Sequence, residues 1–323
     1  MKNHLRLELL NKILNKPYIK TGLILLITVV VFLVLFRNID FSSVFQILID
    51  SNKIFLFFAF VLSFVVEIIV AKRWQIILKT MDFKISLKEA FCIIMGTFPF
   101  ALITPSFSND FVRAVPLQKR IRISKVVGTC FTERFFDFLT LFIFFFIGIL
   151  LTHNFHFISF ALLFLVIMVS VVIFINVKFE LPIGEKWRER VNNILLSIRM
   201  MCSGTHIIIP VIFYSFCLWA VTIIQTMILF EAVGLSVPLV DTMANLPIAI
   251  FIGQIPITFG GAGTRDAAII FLFSSFASPQ QLLAVGILFT FMRCWILAII
   301  GIPFLKYIGL HNLDISDHEK KDP

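Results

Sequence analysis

Apolar residues run along this chain in long blocks, not in stripes. Blocks near 21–36, 54–71, 90–105, 126–151, 157–177, 207–230, 242–258, 266–277 and 283–305 alternate with short polar and basic segments. A helix that is hydrophobic all round belongs inside protein or lipid, and a bilayer crossing needs about 20 such residues, range roughly 17–25. Runs 54–71, 126–151, 157–177, 207–230 and 283–305 reach that length, and the flanks of 21–36 extend it. Runs 90–105, 242–258 and 266–277 are short, with Pro99 in the first and Pro247 and Pro256 in the second. Residues 1–20 are mostly polar and basic, and no small-residue cleavage pattern follows Phe36, so the first run reads as a retained anchor. The pattern predicts an all-α polytopic membrane protein with about six to eight transmembrane helices.

Composition sharpens this. Of 323 residues 59% are hydrophobic and 15% charged, where a soluble domain carries about 25% charged residues. Forty positions are Phe. A soluble nucleic-acid binder, a disordered chain and a secreted disulfide scaffold are excluded. Cys92, Cys130, Cys202, Cys217 and Cys294 form no C-x-x-C and read as packing residues.

The net charge of +9 fits the excess of Lys and Arg on cytoplasmic loops, not nucleic acid. Most of the 28 Lys and Arg residues fall in segments 1–20, 72–89, 106–125, 178–206 and the tail, while loops 37–53, 152–156 and 231–241 are poor in them. The expected organisation is a cytoplasmic segment 1–20, one transmembrane domain 21–308, and a cytoplasmic tail 309–323. Within the domain, segment 178–206 is cytoplasmic; Trp187, Val191, Ile194, Leu195 and Ile198 stand at helical spacing there and predict an interfacial amphipathic helix. The membrane is expected to be the cytoplasmic one, with the N-terminus inside.

Segments 72–89 and 106–125 on one side mean that run 90–105 enters and returns as a re-entrant hairpin. Such irregular backbone is tolerated only where protein or water buries it. Runs 242–258 and 266–277 allow either a second hairpin from the opposite side or two crossings. The hairpin regions resemble each other: in Pro105 to Arg113 and in Pro256 to Arg265 an Arg stands six residues after a Phe, with a Pro just before. Helices 54–71 and 207–230, which precede them, run in opposite directions. That is the pattern of an inverted repeat whose broken helices meet near the midplane.

Ionisable residues inside a membrane are functional candidates by default. Glu133, Arg134 and Asp137 open helix 126–151, with Glu133 and Asp137 on one face. Asp110 and Arg113 follow the first hairpin, Arg265 and Asp266 follow a glycine stretch, and Arg293 lies in the last run. Arginines there would bind an anionic group and carboxylates would hold the arginines; the structural alternative is pairing among helices, such as Arg134 with Asp110 or Arg293 with Asp137. Glu67 sits near the end of its run and reads as a snorkelling residue. Thr258, Gly260, Gly261 and Gly263 lack the spacing of a dinucleotide fingerprint. Glycines let backbone approach a ligand closely and helix-start N–H groups favour anions, so Gly261→Val is expected to impair binding more than stability. His153 and His156 have no Cys or carboxylate with them. No metal-ligand cluster, nucleotide motif or nucleophile–base pair appears, so neither a cofactor nor a catalytic residue is implied.

These residues resemble the transmembrane region of lysylphosphatidylglycerol synthases and their stand-alone, flippase-like relatives. The family pattern is a Pro-containing hairpin with a Gly-Gly-Asp-x-x-Arg-like stretch, a Glu-Arg pair on the next helix, and a later Pro-x-Thr-x-Gly-Gly-x-Gly-x-Arg-Glu-like stretch. Here Pro105, Asp110 and Arg113, then Glu133 and Arg134, then Pro256, Thr258, Gly260, Gly261, Gly263, Arg265 and Asp266 correspond. Ser108 and Asn109 stand where glycines are usual, and Asp266 replaces the common Glu. The resemblance implies movement of lipids with anionic or phosphate head groups, phospholipid or polyprenyl-phosphate-linked, between leaflets. The full synthases add a soluble aminoacyl-transferase domain, for which residues 306–323 leave no room, so lipid aminoacylation is not expected. The competing expectations are an accessory subunit partnering a lipid-modifying or glycosyltransferase enzyme, and an intramembrane lipid-modifying enzyme.

Overall fold

The computed structural model describes residues 37, 39–104, 106–153, 157–176, 191–192, 194–195, 198–199, 205–255 and 261–309. Among them the fold is helical throughout. The expectations for residues 1–20, the first apolar run, His156, Thr258, Gly260 and the tail beyond 309 lie outside the described residues, as does most of segment 178–206. The part of that segment that is described is helical, and Ile198 is buried against Ile77, Met81, Phe136 and Val211.

In chain order the helices are α1 (Phe41–Asp50), α2 (Lys53–Lys79), α3 (Leu87–Ala101), a 3-10 helix (Ser106–Ala114), α4 (Ile123–Thr152), α5 (Ile158–Asn176), α6 (Thr205–Ala232), α7 (Leu239–Gln254), α8 (Thr264–Leu272) and α9 (Pro279–Ile308). Four stretches are long and apolar enough to cross a membrane: Lys53–Lys79, Ile123–Thr152, Ile208–Ala232 and Pro279–Ile308. Local chemistry sets several starts. Asn52 accepts the N–H of Ile54 at 2.9 Å to cap α2, and Ser86 accepts that of Glu89 at 3.0 Å to cap α3. At α9 Ser278 and Gln281 form a capping box with Pro279 in the first turn. Phe57, Val166, Phe213 and Ile299 stand on the outer surface, an apolar exterior that suits lipid rather than water.

The largest departure from the sequence pattern is α2. Its apolar run ends at Ala71, yet the helix continues to Lys79 and buries Arg73 and Trp74. Arg73 therefore belongs to the interior, not to a cytoplasmic segment 72–89. Hydropathy stops at the first charges because it cannot see the partners that neutralise them. Glu67, more than three turns before the end of α2, is buried and does not snorkel.

The first hairpin is re-entrant. Glu89, at the start of α3, pairs with Arg120 at 2.5 Å, and the Arg120 guanidinium lies over the Phe83 ring. The chain thus leaves the hairpin at the end where it entered. With 15 residues at about 1.5 Å each, α3 spans roughly 22 Å, short of a hydrocarbon core of about 30 Å.

The second hairpin resolves as re-entrant too. At the opposite end of the molecule the start of α2 meets the end of α6, Asn52 N–H donating to the Ala232 carbonyl at 2.8 Å. There α7 begins, and the end of α8 returns, with Phe273 packed on Phe230 of α6 at 5.1 Å between ring centroids. Val44 of α1 packs there on Leu283 and Ala284 of α9.

The packing is reciprocal. The long helices α2 and α6 pair antiparallel, clipped by Gln225, whose amide donates to Ala59 O and Ser63 Oγ at 2.7 Å each. Hairpin helix α3 packs on the second half's last helix, α9, while α7 packs on the first half's α4. Both crossings rest on close backbone approach: a Cβ at Gly148 of α4 would meet Ala244 of α7 at 2.5 Å, and one at Gly301 of α9 would meet the Met95 carbonyl of α3. This reciprocal packing, with each half's hairpin on a helix of the other, fits an inverted repeat.

Candidate functional site

The hairpin tips meet at a buried cavity of about 190 Å³. The first contributes Thr97, Ala101, Asn109, Asp110 and Arg113, the second Gly253, Gln254 and Arg265. The long helices complete the wall with Glu67, Arg73, Arg134, Asp137, Trp219, Arg293 and others. A polar cavity of that size holds several waters, room for a charged head group.

Six charges on its first-half side form a closed, alternating ring. Arg73 pairs with Glu133 at 3.4 Å and with Asp137. Glu133 pairs with Arg113 at 2.7 Å, and Arg113 with Asp110 at 2.8 Å. Asp110 pairs with Arg134 at 2.5 Å, and Arg134 returns to Asp137 at 3.5 Å. Each guanidinium meets two carboxylates and each carboxylate two guanidiniums, so the ring is neutral. The helical spacing of Glu133, Arg134 and Asp137 places three members on α4; the 3-10 helix supplies two and α2 one. Arg73 also donates to Ser215 Oγ at 2.8 Å and Trp219 Nε1 to Asp137 at 3.2 Å, which ties the ring to α6. Arg113 lies 5.5 Å from the Trp74 ring centre. The expected Arg134–Asp110 pairing is present. The expected Arg293–Asp137 pairing is replaced by Arg293 with Glu67 at 3.5 Å.

The second-half side is sparser. Arg265 Nη2 donates to the Thr290 hydroxyl, its guanidinium stacks over Phe289 at 4.6 Å, and Asp266 stands 3.7 Å away. That carboxylate is engaged elsewhere: its Oδ2 accepts the Gly263 N–H at 2.9 Å, capping α8. The Arg265 N–H goes to the Gly261 carbonyl at 3.0 Å. These two helix-start donors are therefore occupied within the hairpin, and Arg265 reaches the cavity through its side chain. Gly261 has φ +75°, and a Cβ there would lie 2.6 Å from the Gly253 carbonyl. Its immediate requirement is backbone against backbone inside the hairpin, so a side chain at 261 would meet Gly253.

Arg293 sits in a π-helical turn, Phe291–Trp295, that interrupts α9. Such bulges recur at functional sites because they displace a side chain from helical register. Arg73 and Glu67 are the site residues that sequence reading misplaced. The signal lay in the regularity of α2, whose residues 67, 70, 71 and 74 keep one buried face across the charges.

Similarity to known proteins agrees with the geometry. The chain is 24% identical over 323 residues to a UPF0104 membrane protein of Methanocaldococcus jannaschii, covering 90% of this chain and 94% of that one. It is 24% identical over 294 residues to a UPF0104 membrane protein of Methanothermobacter thermautotrophicus, covering 80% and 87%. Residues 22–301 match the family model described as the lysylphosphatidylglycerol synthase TM region, and the chain belongs to that family.

Proposed function

We propose that the chain moves a lipid with an anionic or phosphate head group between leaflets of the cytoplasmic membrane. The observation that carries this reading is the meeting of two re-entrant hairpins at a polar cavity with five arginines on its wall. A charged head group crossing hydrocarbon unaided faces a barrier of at least about 2.5–3.5 kcal/mol on the insertion scale. Arginines in a fixed cavity offset that barrier while the tails remain in lipid. The site binds and releases; it performs no covalent step.

Reconstitution into vesicles with fluorescent anionic lipids tests this. The wild-type chain is expected to accelerate lipid exchange between leaflets, and Arg265→Ala to abolish it while inserting and folding, because its carboxylate neighbour Asp266 lies 3.7 Å away and keeps the Gly263 N–H as a partner. Exchange by Arg265→Ala at the wild-type rate would remove this residue from the mechanism. Absence of exchange by the wild type alone, with exchange restored by a lipid-modifying partner, would favour an accessory role.

The same reading places the end bearing Lys79, Lys84, Lys88 and Arg120 in the cytoplasm. Single cysteines near Lys84 and near Arg120, in a background without the native five, should label from the inside, and one near Asn154 from the outside. Labelling of the first two only from outside would invert the orientation.

A further inference from the structure

Resting on that reading, we propose that the ligand's phosphate binds between Arg265 and Arg293, and that Glu67 is the internal anion it displaces. The five arginines are not equivalent. Arg73, Arg113 and Arg134 each meet two carboxylates in the ring. An anion entering there would have to open a closed ring in which every guanidinium already meets two carboxylates.

Arg265 and Arg293 stand outside the ring. Arg265 hydrogen-bonds a neutral hydroxyl and faces a single carboxylate, Asp266, at 3.7 Å; among the described residues its buried Nε has no hydrogen-bond partner, which is true also of the Nε of Arg113 and of Arg134. The Nη1 of Arg293 is buried with no hydrogen bond, facing Glu67 only across 3.5 Å. Buried donors without partners are costly to keep, and both side chains line the cavity. Tetrahedral phosphate oxygens accept from two guanidiniums at once, and the planar fork of Arg matches them. Glu67 lines the same cavity. It comes from α2, in the first half, while Arg293 belongs to α9 in the second. Displacing Glu67 from Arg293 therefore releases a contact between the halves at the moment the ligand arrives.

The repeat accounts for the division of labour. The first half's hairpin and following helix, together with Arg73 of α2, carry matched charges that close on themselves. The equivalent elements of the second half bring Arg265 and Arg293 to the cavity wall, and the carboxylate beside Arg265, Asp266, caps a helix. The ring holds the scaffold, and the two arginines that each face a single carboxylate receive the ligand.

The test is a native mass-spectrometric titration of the full chain in detergent. Dioleoyl phosphatidylglycerol and dodecyl phosphate are the probes, and dioleoyl phosphatidylcholine is the control. Arg265→Gln and Arg293→Gln should each weaken binding of both probes by at least about tenfold. Glu67→Gln should strengthen it by about fivefold or more, since it removes the competitor and leaves the cations. Tighter binding on loss of a buried carboxylate is a result that a merely structural Glu67 would not give. If a glutamine variant fails to fold, Arg265→Lys and Arg293→Lys keep the charge, and each should still weaken binding. No preference of the wild type for either probe over phosphatidylcholine would overturn the transport reading itself. Wild-type binding that Glu67→Gln leaves unchanged or weakens would leave that reading in place and overturn this assignment.

Discussion

Arg73→Met is expected to be the most destabilising substitution of a single charged residue in this protein, lowering stability by about 3–5 kcal/mol. The change leaves the aliphatic stem but opens the six-charge ring. Asp137 keeps Arg134 at 3.5 Å and Trp219 at 3.2 Å, and Glu133 keeps Arg113 at 2.7 Å, so the ring is left with three carboxylates against two guanidiniums. Glu133 and Asp137 are themselves almost wholly buried, so that excess is poorly solvated. Adding Asp137→Leu restores the balance and should recover part of the loss, a coupling that a double-mutant cycle reads directly. Thermal unfolding in detergent is the measurement. A midpoint for Arg73→Met equal to that of the wild type would mean that the ring contributes nothing to folding. Arg265→Ala, by contrast, should move the midpoint little.

Gly261→Val should lower stability by about 2–6 kcal/mol and reduce ligand binding through loss of the hairpin. Two effects combine. A β-branched residue at φ +75° is strained, by about 1–3 kcal/mol. Its Cβ would also press on the Gly253 carbonyl at 2.6 Å and on its Cα at 3.1 Å, and overpacking of this kind costs about 1–3 kcal/mol. Gly234→Val is the comparison: φ is +77° there, but nothing lies within 4 Å of the added Cβ, so only the strain remains. The smaller drop belongs to position 234. A Gly261→Val protein that melts with the wild type yet has lost its lipid would show that ligand, not α7, needs the space.

Much of the architecture was legible in the chain. Apolar blocks of spanning length produce helices because lipid leaves the backbone no other partner. The basic segments around Lys84 and Arg120 placed the first hairpin's two ends together, and the Glu89–Arg120 pair does so in the fold. The second hairpin was not resolved by charge, since loop 231–241 offers no Lys or Arg to count. The Phe230–Phe273 contact and the packing of α1 on α9 resolve it.

The sequence by itself determined which residue types lie in the membrane and that charges among them would be few and paired. It also marked the residues of the two hairpin tips, Asp110, Arg113 and Arg265, as candidates, because an ionisable side chain beside broken apolar helices is costly to bury unless a partner or a ligand meets its charge. Only the tertiary structure decided the pairing. Arg73 and Glu67 are in range of their partners because α2 runs on past its first charges and lies against α4, α6 and α9. Ion pairing depends on distance between side chains from separate helices, and hydropathy along one strand of sequence carries no such information. For the same reason the chain alone could not tell the three arginines that close a neutral ring from the two that stand outside it.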